Sequence, residues 1–435
     1  MQTRKLSNLV FTDKMHSYIA IILFIGMFIG ISGCSSTPSK EATGKPSSVT
    51  TPVETKPEQT KAVEPSACLC PPPPEVKEPT VEPPKGKLVS SNWQALPDWG
   101  STSLSGSWTA FLQTCSAPSL EPTLQAVCSE AQSISPNDDA QIKTFFETRF
   151  TPFQVVNGDE STSGMITGYY EPLLHGSRTQ SEEFRYPLYA EPSDLLTIDL
   201  SSVYPELKNK RLRGRLEGTK VVPYYDRSEI EQPAMQTSLR DKVLVWVNDP
   251  VEVAFLHIQG SGQIKLDTGE TMRVGYANQN GRPFRSVGRY LIQQGILTPA
   301  QTTLPGIRAW AKKHPKQIDR LLNFNPSYVF FRELPLNLPG PIGTLGVPLT
   351  AEHSVAIDRR TIPLGVPVYL STTWPNSSRP LKRLMMAQDT GGAINGAVRA
   401  DFFWGFGDDA GKLAGVMKQR GEMWVLLPNN YPVPQ

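Results

Sequence analysis

The chain has 435 residues, enough for two or three domains with sizeable cores, and a formal charge of +2 that calls for no polyanionic partner. No Lys/Arg cluster interleaved with aromatics is present, so nucleic acid is not an expected ligand. The compositional outlier is proline, with 40 residues, many of them in the first hundred.

Residues 1–33 read as an export signal. Arg4, Lys5 and Lys14 precede the apolar run YIAIILFIGMFIGIS, which is short for a spanning helix and stops at small residues. Ile31-Ser32-Gly33-Cys34 resembles a bacterial lipoprotein box, which implies cleavage before Cys34 and lipidation of that cysteine. A retained N-terminal anchor helix is the alternative. Ser35, in place of Asp, implies an outer-membrane destination by the same resemblance, facing the periplasm. Residues 34–92 are mostly Pro, Thr, Ser, Lys and Glu, and lack the apolar surface that would offset the entropy of ordering. A disordered tether is expected there, spanning on the order of 40 Å as a coil. An oxidising compartment permits disulfides. Cys115 and Cys128 both lie in helical sequence, which allows a bridge without requiring one, whereas Cys68-Leu69-Cys70 is too tight for an unstrained bridge.

The globular part is expected to begin near Trp93. Trp108, Phe111, Leu112 and Cys115 follow helical spacing, as do Ile142, Phe145, Phe146 and Phe150 after the Ser-Pro-Asn-Asp start at 135–138. Short strands follow in ITGYYEPLLHG (166–176) and FRYPLYAEP (184–192). KVLVWVNDP and VEVAFLHIQGSGQIKLDTGE read as paired strands, with Asp-Pro and Asp-Thr-Gly as turns. His257 is therefore expected on a strand. A Gly-rich loop leads into a helix ending at Gly295, residues 307–324 read as helical apart from Pro315, and NPSYVFFRE returns to strand. Beyond Gly340 come strands and Gly turns, then a helix from Asp408 or Asp409 to a cap at Gly421, and the closing strand EMWVLLP.

Several chemistries are poorly supported. The five histidines are scattered, without HExxH or paired-Cys spacing, so no metal or other cofactor is expected. Ser261 in Gln-Gly-Ser-Gly lacks the spacing of a nucleophile elbow. Carboxylates remain. Asp389 and Asp401 bracket the glycine-broken run in MMAQDTGGAINGAVRADFFWG, and Asp358 stands in AIDRRTIPLG. Phe402, Phe403 and Trp404 after Asp401 would desolvate it, raising its pKa until it can protonate a glycosidic oxygen. Gly391 and Gly392 would admit close approach of a ligand to backbone. Tyr169, Tyr170 and Glu171 could line a sugar groove, and the Gln259–Ser261 turn could bring amides near a ligand. For the aspartates, turn-bonding structural roles weigh equally, and the tyrosines could be ordinary strand aromatics.

GYYEP, FLHIQGSG, NQNGRPFRSVGRYLI, NPSYVFFRE, GPIGTLGVPLT, IDRRTIPLG and AQDTGGAINGAVRADFFWG, in that order, resemble the membrane-bound lytic murein transglycosylase A (MltA) family. The last hundred residues resemble its three-aspartate "3D" domain. The resemblance implies a mainly β fold with some α: a double-psi β-barrel from residues 93–177 and 338–435, with a β-rich, barrel-like domain, 178–337, inserted between. It implies cleavage of peptidoglycan glycan strands to 1,6-anhydromuramic ends, with Asp401 as acid then base and Asp389 and Asp358 in support. Asn395 departs from the pattern, since relatives often carry a basic residue there. A non-cleaving, expansin-like wall-binding lipoprotein and a lysozyme-type hydrolase are the rival readings. Partners among cell-wall remodelling proteins stay open.

Overall fold

The computed structural model describes residues 86–207 and 210–433. The export signal, Cys34, Cys68, Cys70 and nearly all of the tether lie outside the described residues. One boundary moves. Strand β1 (Lys87–Ser90) occupies the last part of the stretch assigned to the tether, where it pairs with β2 (Phe150–Val156). Its KLVS sequence alternates enough apolar side chains to join a sheet edge, so the ordered chain starts before Trp93.

Between β1 and β2 run three helices, α1 (Ser105–Cys115), α2 (Pro122–Ala131) and α3 (Asp139–Arg149). The start signal at 135–138 holds, since the Asp138 carboxylate caps α3 by accepting from the Gln141 amide. The helical aromatics are core. Trp108 meets Phe145 edge-on at 5.0 Å and Phe111 meets Phe146 at 5.4 Å, over the outward residues Tyr369, Leu384, Met386, Trp424 and Leu426. Cys115 and Cys128 form a disulfide that ties α1 to α2.

After β3 (Gly164–Glu171), the chain leaves for the insert. Its strands are β4 (Leu173–Ser177), β5 (Tyr186–Tyr189), β6 (Leu196–Thr197), β7 (Arg213–Glu217), β8 (Lys220–Pro223), β9 (Val243–Val247), β10 (Ser261–Leu266), β11 (Thr271–Gln279) and β12 (Val329–Leu334). Its helices are α4 (Arg227–Ile230), α5 (Pro233–Ser238), α6 (Pro250–Gln259), α7 (Val287–Gln293), α8 (Leu304–Lys313) and α9 (Ile318–Leu322). One sheet runs β12-β11-β10-β4-β9-β5, and β6-β7-β8 form a separate small one. Because β4 pairs with β10 and β9, residues 173–177 belong to the inserted sheet, and the boundary expected at 177 falls before Leu173.

The predicted strand through VEVAFLHIQ is instead helix α6. Asp249 caps it, accepting from the Val251 and Glu252 amides, Pro250 takes its first position, and Gly260 ends it at φ 81°. Valines at 251 and 253 turn to the core from a helix as well as from a strand, so local β-preference loses to the caps and to packing. His257 is thus a helical residue. It is buried, and its Nδ1 lies 2.7 Å from the Arg227 guanidinium, which can only donate.

The C-terminal strands are β13 (Ser354–Ile357), β14 (Pro367–Thr373), β15 (Pro380–Asp389), β16 (Arg399–Phe406) and β17 (Lys418–Pro428). They pair with β3 in the order β17-β14-β15-β13-β16-β3, and β3 pairs back to β17. A closed ring of six strands results, assembled from two stretches of chain separated by the insert. Its interior holds Ile166, Val355, Ile357, Val368, Met385, Ala400, Phe402, Trp404, Met423 and Val425. Helix α10 (Gly407–Ala414) follows β16 and is capped at Gly415; the expected cap Gly421 lies inside β17, paired with Gly164. Among the described residues, no helix is long and apolar enough to cross a membrane.

The disulfide closes a short loop between residues 13 apart. Replacing Cys115 and Cys128 by serine is expected to lower unfolding free energy by about 2–3 kcal/mol in urea titrations. Equal midpoints for variant and parent would contradict a stabilising role.

Candidate active site

Strand β16 alternates, and its alternation divides the aromatics that follow Asp401. Phe402 and Trp404 point into the ring, whereas Asp401 and Phe403 point out. The expected wall of three aromatics is thus a single neighbour on the acid's own face, because successive strand residues take opposite faces. Phe403 packs there on Tyr169 with ring centroids 5.1 Å apart, beside Leu349, Ala356 and Ile394.

Pairing fixes what stands beside the acid. Asp401 lies opposite Thr167 in the parallel β3 and opposite Ala356 in the antiparallel β13, while Asp389, at the end of β15, also registers with Ala356. The two aspartates are therefore brought onto one outer patch of the ring. Asp389 is held closely. Its Oδ1 accepts from the Thr344 amide and hydroxyl, both at 2.9 Å, and its Oδ2 accepts from the Tyr169 hydroxyl at 3.0 Å. Asp401 accepts a single side-chain bond, from the Thr167 hydroxyl to Oδ1 at 2.5 Å.

Burial pushes both carboxyls above the ordinary aspartate range. For Asp389 the Thr344, Thr390 and Tyr169 donors pull back toward the charged form. For Asp401 the Thr167 hydroxyl and the Arg399 guanidinium pull back, while the negative charge of Asp389 adds to the rise. Two acids that repel one another keep one proton between them most easily, and hydrogen-bond donors favour a carboxyl's charged form. Of the two, Asp401 has the fewer donors among the described residues.

Asp358 is not part of this pair. It follows β13, is 4% exposed, and accepts from the Arg360 side chain and from the Gly396 amide at 2.8 Å. Gly396 reaches that position at φ 122°, a conformation that favours glycine. Burial pushes Asp358 up, but the Arg360 side chain and the Gly396 and Arg360 amides outweigh it, so its pKa sits below the ordinary value. Arg360 also donates to Asn395 at 3.0 Å, so the residue at the departing position joins this latch.

The other expected ligand residues separate. Tyr169 is 7% exposed and serves Asp389 with its hydroxyl, so its ring offers no free face. Tyr170 points to the other face of β3, and its amide donates to Gln259 Oε1 at 3.0 Å, which joins α6 to the ring. Glu171 is 1% exposed in an ion pair with Arg273 at 2.9 Å. Ser261 is buried at the start of β10. Tyr169 thus belongs to the acids' surroundings, whereas Tyr170, Glu171, Gln259 and Ser261 join barrel to insert or lie in its interior. Gly391 and Gly392 follow Asp389 closely in the chain, and Gly392 is exposed.

Residues not singled out from sequence complete the patch. Thr167, Thr344 and Arg399 contact the aspartates or their partners, and the insert adds Arg211, whose Nη2 donates to the Thr390 hydroxyl at 3.3 Å. Tyr276, partly exposed, stands near Arg211 and Arg213. The acids thus sit where the insert meets the ring. Among the described residues, no three His, Cys, Asp or Glu side chains are grouped as metal ligands.

Comparison with known proteins identifies both parts of the chain. Residues 165–332 match the MltA specific insert domain, and residues 353–427 match the 3D domain. Membrane-bound lytic murein transglycosylase A of Escherichia coli strain K12 is 33% identical over 283 residues, covering 63% of this chain and 68% of that protein. The crystal structure of MltA from Neisseria gonorrhoeae superposes with a TM-score of 0.69 at 39% identity, over 81% of this chain and 95% of that one. The crystal structure of E. coli MltA with bound chitohexaose gives 0.58 at 25% identity, over 80% and 95%. With both domains matched in order and a relative 33% identical over two thirds of its length, the chain belongs to the membrane-bound lytic murein transglycosylase A family.

Proposed function

We propose that this chain cleaves the bond between N-acetylmuramic acid and N-acetylglucosamine in peptidoglycan without water, leaving 1,6-anhydromuramic ends. The observation that carries the reading is the asymmetry of the two acids: Asp389 has both oxygens tied, whereas among the described residues Asp401 Oδ2 has no hydrogen-bond partner. Neutral Asp401 gives its proton to the bridging oxygen as the bond to muramyl C1 breaks. The resulting carboxylate then takes the proton of the muramyl C6 hydroxyl while that oxygen bonds to C1. Asp401 ends protonated as it began, and no second catalytic carboxylate is required, unlike in a hydrolysing pair. An internal nucleophile also brings part of the rate through proximity.

Asp389 then acts on Asp401 by like charge, and Asp358 holds the 358–362 and 391–396 turns. Gly391 and Gly392 form the floor beside the sugar, and Tyr276 and Arg211 face it from the insert. We read the closed ring as the double-psi barrel implied by the sequence resemblance, residues 1–33 as an export signal removed before Cys34, and lipidated Cys34 with the tether after it as the anchor that presents the domain to the wall from the outer membrane. The chitohexaose bound by the E. coli relative supports a glycan ligand.

Digestion of murein with purified protein, followed by mass spectrometry of the fragments, should give anhydro ends. Reducing ends would indicate a hydrolase, and binding without fragments an expansin-like protein. Asp401→Asn is expected to lower turnover by about a thousandfold or more while leaving glycan binding intact. Its fold should not suffer. An aspartate with a raised folded pKa binds its proton more tightly folded than unfolded, so above that pKa its charge opposes folding, and Asn removes the penalty. A lower melting midpoint, or full activity, would contradict the assignment. In the same assays Asp358→Asn should lose stability, with normal turnover in the folded fraction; normal stability with lost turnover would instead place Asp358 in the chemistry.

A further inference from the structure

Among the described residues, Arg399 is a buried cation whose hydrogen-bond acceptors carry no charge. It is 9% exposed and stands two residues before Asp401 on β16, hence on the same face. Its Nη1 donates to the Ala400 carbonyl and, at 3.4 Å, to that of Met165, and its Nη2 donates to the Thr167 hydroxyl at 2.9 Å. Among the described residues, none of these acceptors is a carboxylate. A guanidinium held from water without an ion pair is unfavourable unless something depends on its field or its donors.

The donor inventory shows what depends on it. A guanidinium has no acceptor, so the Thr167 oxygen must receive the Arg399 N–H. The single hydroxyl proton of Thr167 is then left to point at Asp401 Oδ1, 2.5 Å away. Oδ1 is committed as an acceptor, and the proton of neutral Asp401 belongs on Oδ2. Without Arg399, the Thr167 hydroxyl could turn and accept from Asp401 instead, scrambling which oxygen presents the proton.

We propose that Arg399 is a positioning residue for proton transfer, acting through the Thr167 hydroxyl to fix the mobile proton on Asp401 Oδ2 and to steady the carboxylate between the two transfers. This rests on the reading of Asp401 as acid then base. The charged and titratable groups facing Asp401 are Asp389 from β15, Tyr169 from β3 and Arg399 from its own strand; β13 contributes only Ala356. Arg399 is the cation in that set, and it opposes both the burial of Asp401 and the charge of Asp389.

The test compares Arg399→Met, Arg399→Lys, Thr167→Val and the double variant Arg399→Met/Thr167→Val on purified glycan strands, across pH. Arg399→Met should lower kcat about tenfold or more, with KM within about twofold. The alkaline limb of its kcat profile should move up by about half to one pH unit, since losing a nearby cation makes Asp401 hold its proton longer. Lysine restores the charge but not the planar fork, so the limb should return while kcat recovers only in part. The double variant should be little slower than Thr167→Val alone, because the two residues act in one chain. An unmoved limb with parental kcat in Arg399→Met, or additive losses in the double variant, would overturn the inference. If Arg399→Met does not fold, Arg399→Lys decides: parental kcat there overturns it. Full activity in Asp401→Asn would instead sink the underlying function, so the two failures are separable.

Discussion

Parallel pairing of β16 with β3 is the constraint on which the rest depends. These strands come from stretches of chain separated by the whole insert, and only their register sets Thr167 beside Asp401 and Tyr169 beside Phe403. Antiparallel β13 closes the other side, bringing Asp389 to the same rung through Ala356. A one-residue slip would turn Asp401 into the apolar interior and Phe402 outward, so the filled ring itself enforces the register. Fold stability and site geometry are in this sense the same fact.

The electrostatics follow from that placement. Half-withdrawn from water and close to one another, the two acids cannot both ionise freely near neutral pH, and unequal hydrogen bonding decides which keeps the proton. Tyr169 and Thr344 hold Asp389 from opposite directions, whereas Asp401 has the Thr167 hydroxyl alone. Asp358 shows the contrary case: a buried aspartate among an arginine and two amides stays charged and serves as a latch. Thus one fold gives three aspartates different surroundings through their donors.

The sequence made much of this legible, though unevenly. Helical spacing located α1 and α3, the Ser-Pro-Asn-Asp start marked the α3 cap, and the motif order located the ring strands and both acids. Helix α6 was misread although its signals were present, because Asp249-Pro250 serves equally as a turn or as a cap with proline at the first helical position. The DFFW aromatics differ from expectation for another reason: burial of an acid depends on which face each neighbour takes, and in a strand Phe402 and Trp404 fall on the face opposite Asp401. Thr167, Thr344 and Arg399 were missed because Thr167 and Thr344 reach the acids only through tertiary pairing. Arg399 alone had a local signal, two residues from Asp401 in a strand, but its value came from the hydroxyl it meets across the pairing. Tyr170, Glu171, Gln259 and Ser261 had the chemistry of ligands, and the fold used it to bind barrel to insert or to fill the interior.

The central claim is that Asp401 holds a proton that Asp389 does not, and carboxyl titration reads this directly. In protein labelled with carbon-13 at the aspartate side-chain carboxyl, with Asp401→Asn supplying the assignment, the Asp401 signal should titrate above the ordinary aspartate value. In Asp389→Asn, with the like charge removed, its midpoint should move down. An Asp401 carboxyl that titrates at or below the ordinary aspartate value, with no response to Asp389→Asn, would contradict the account.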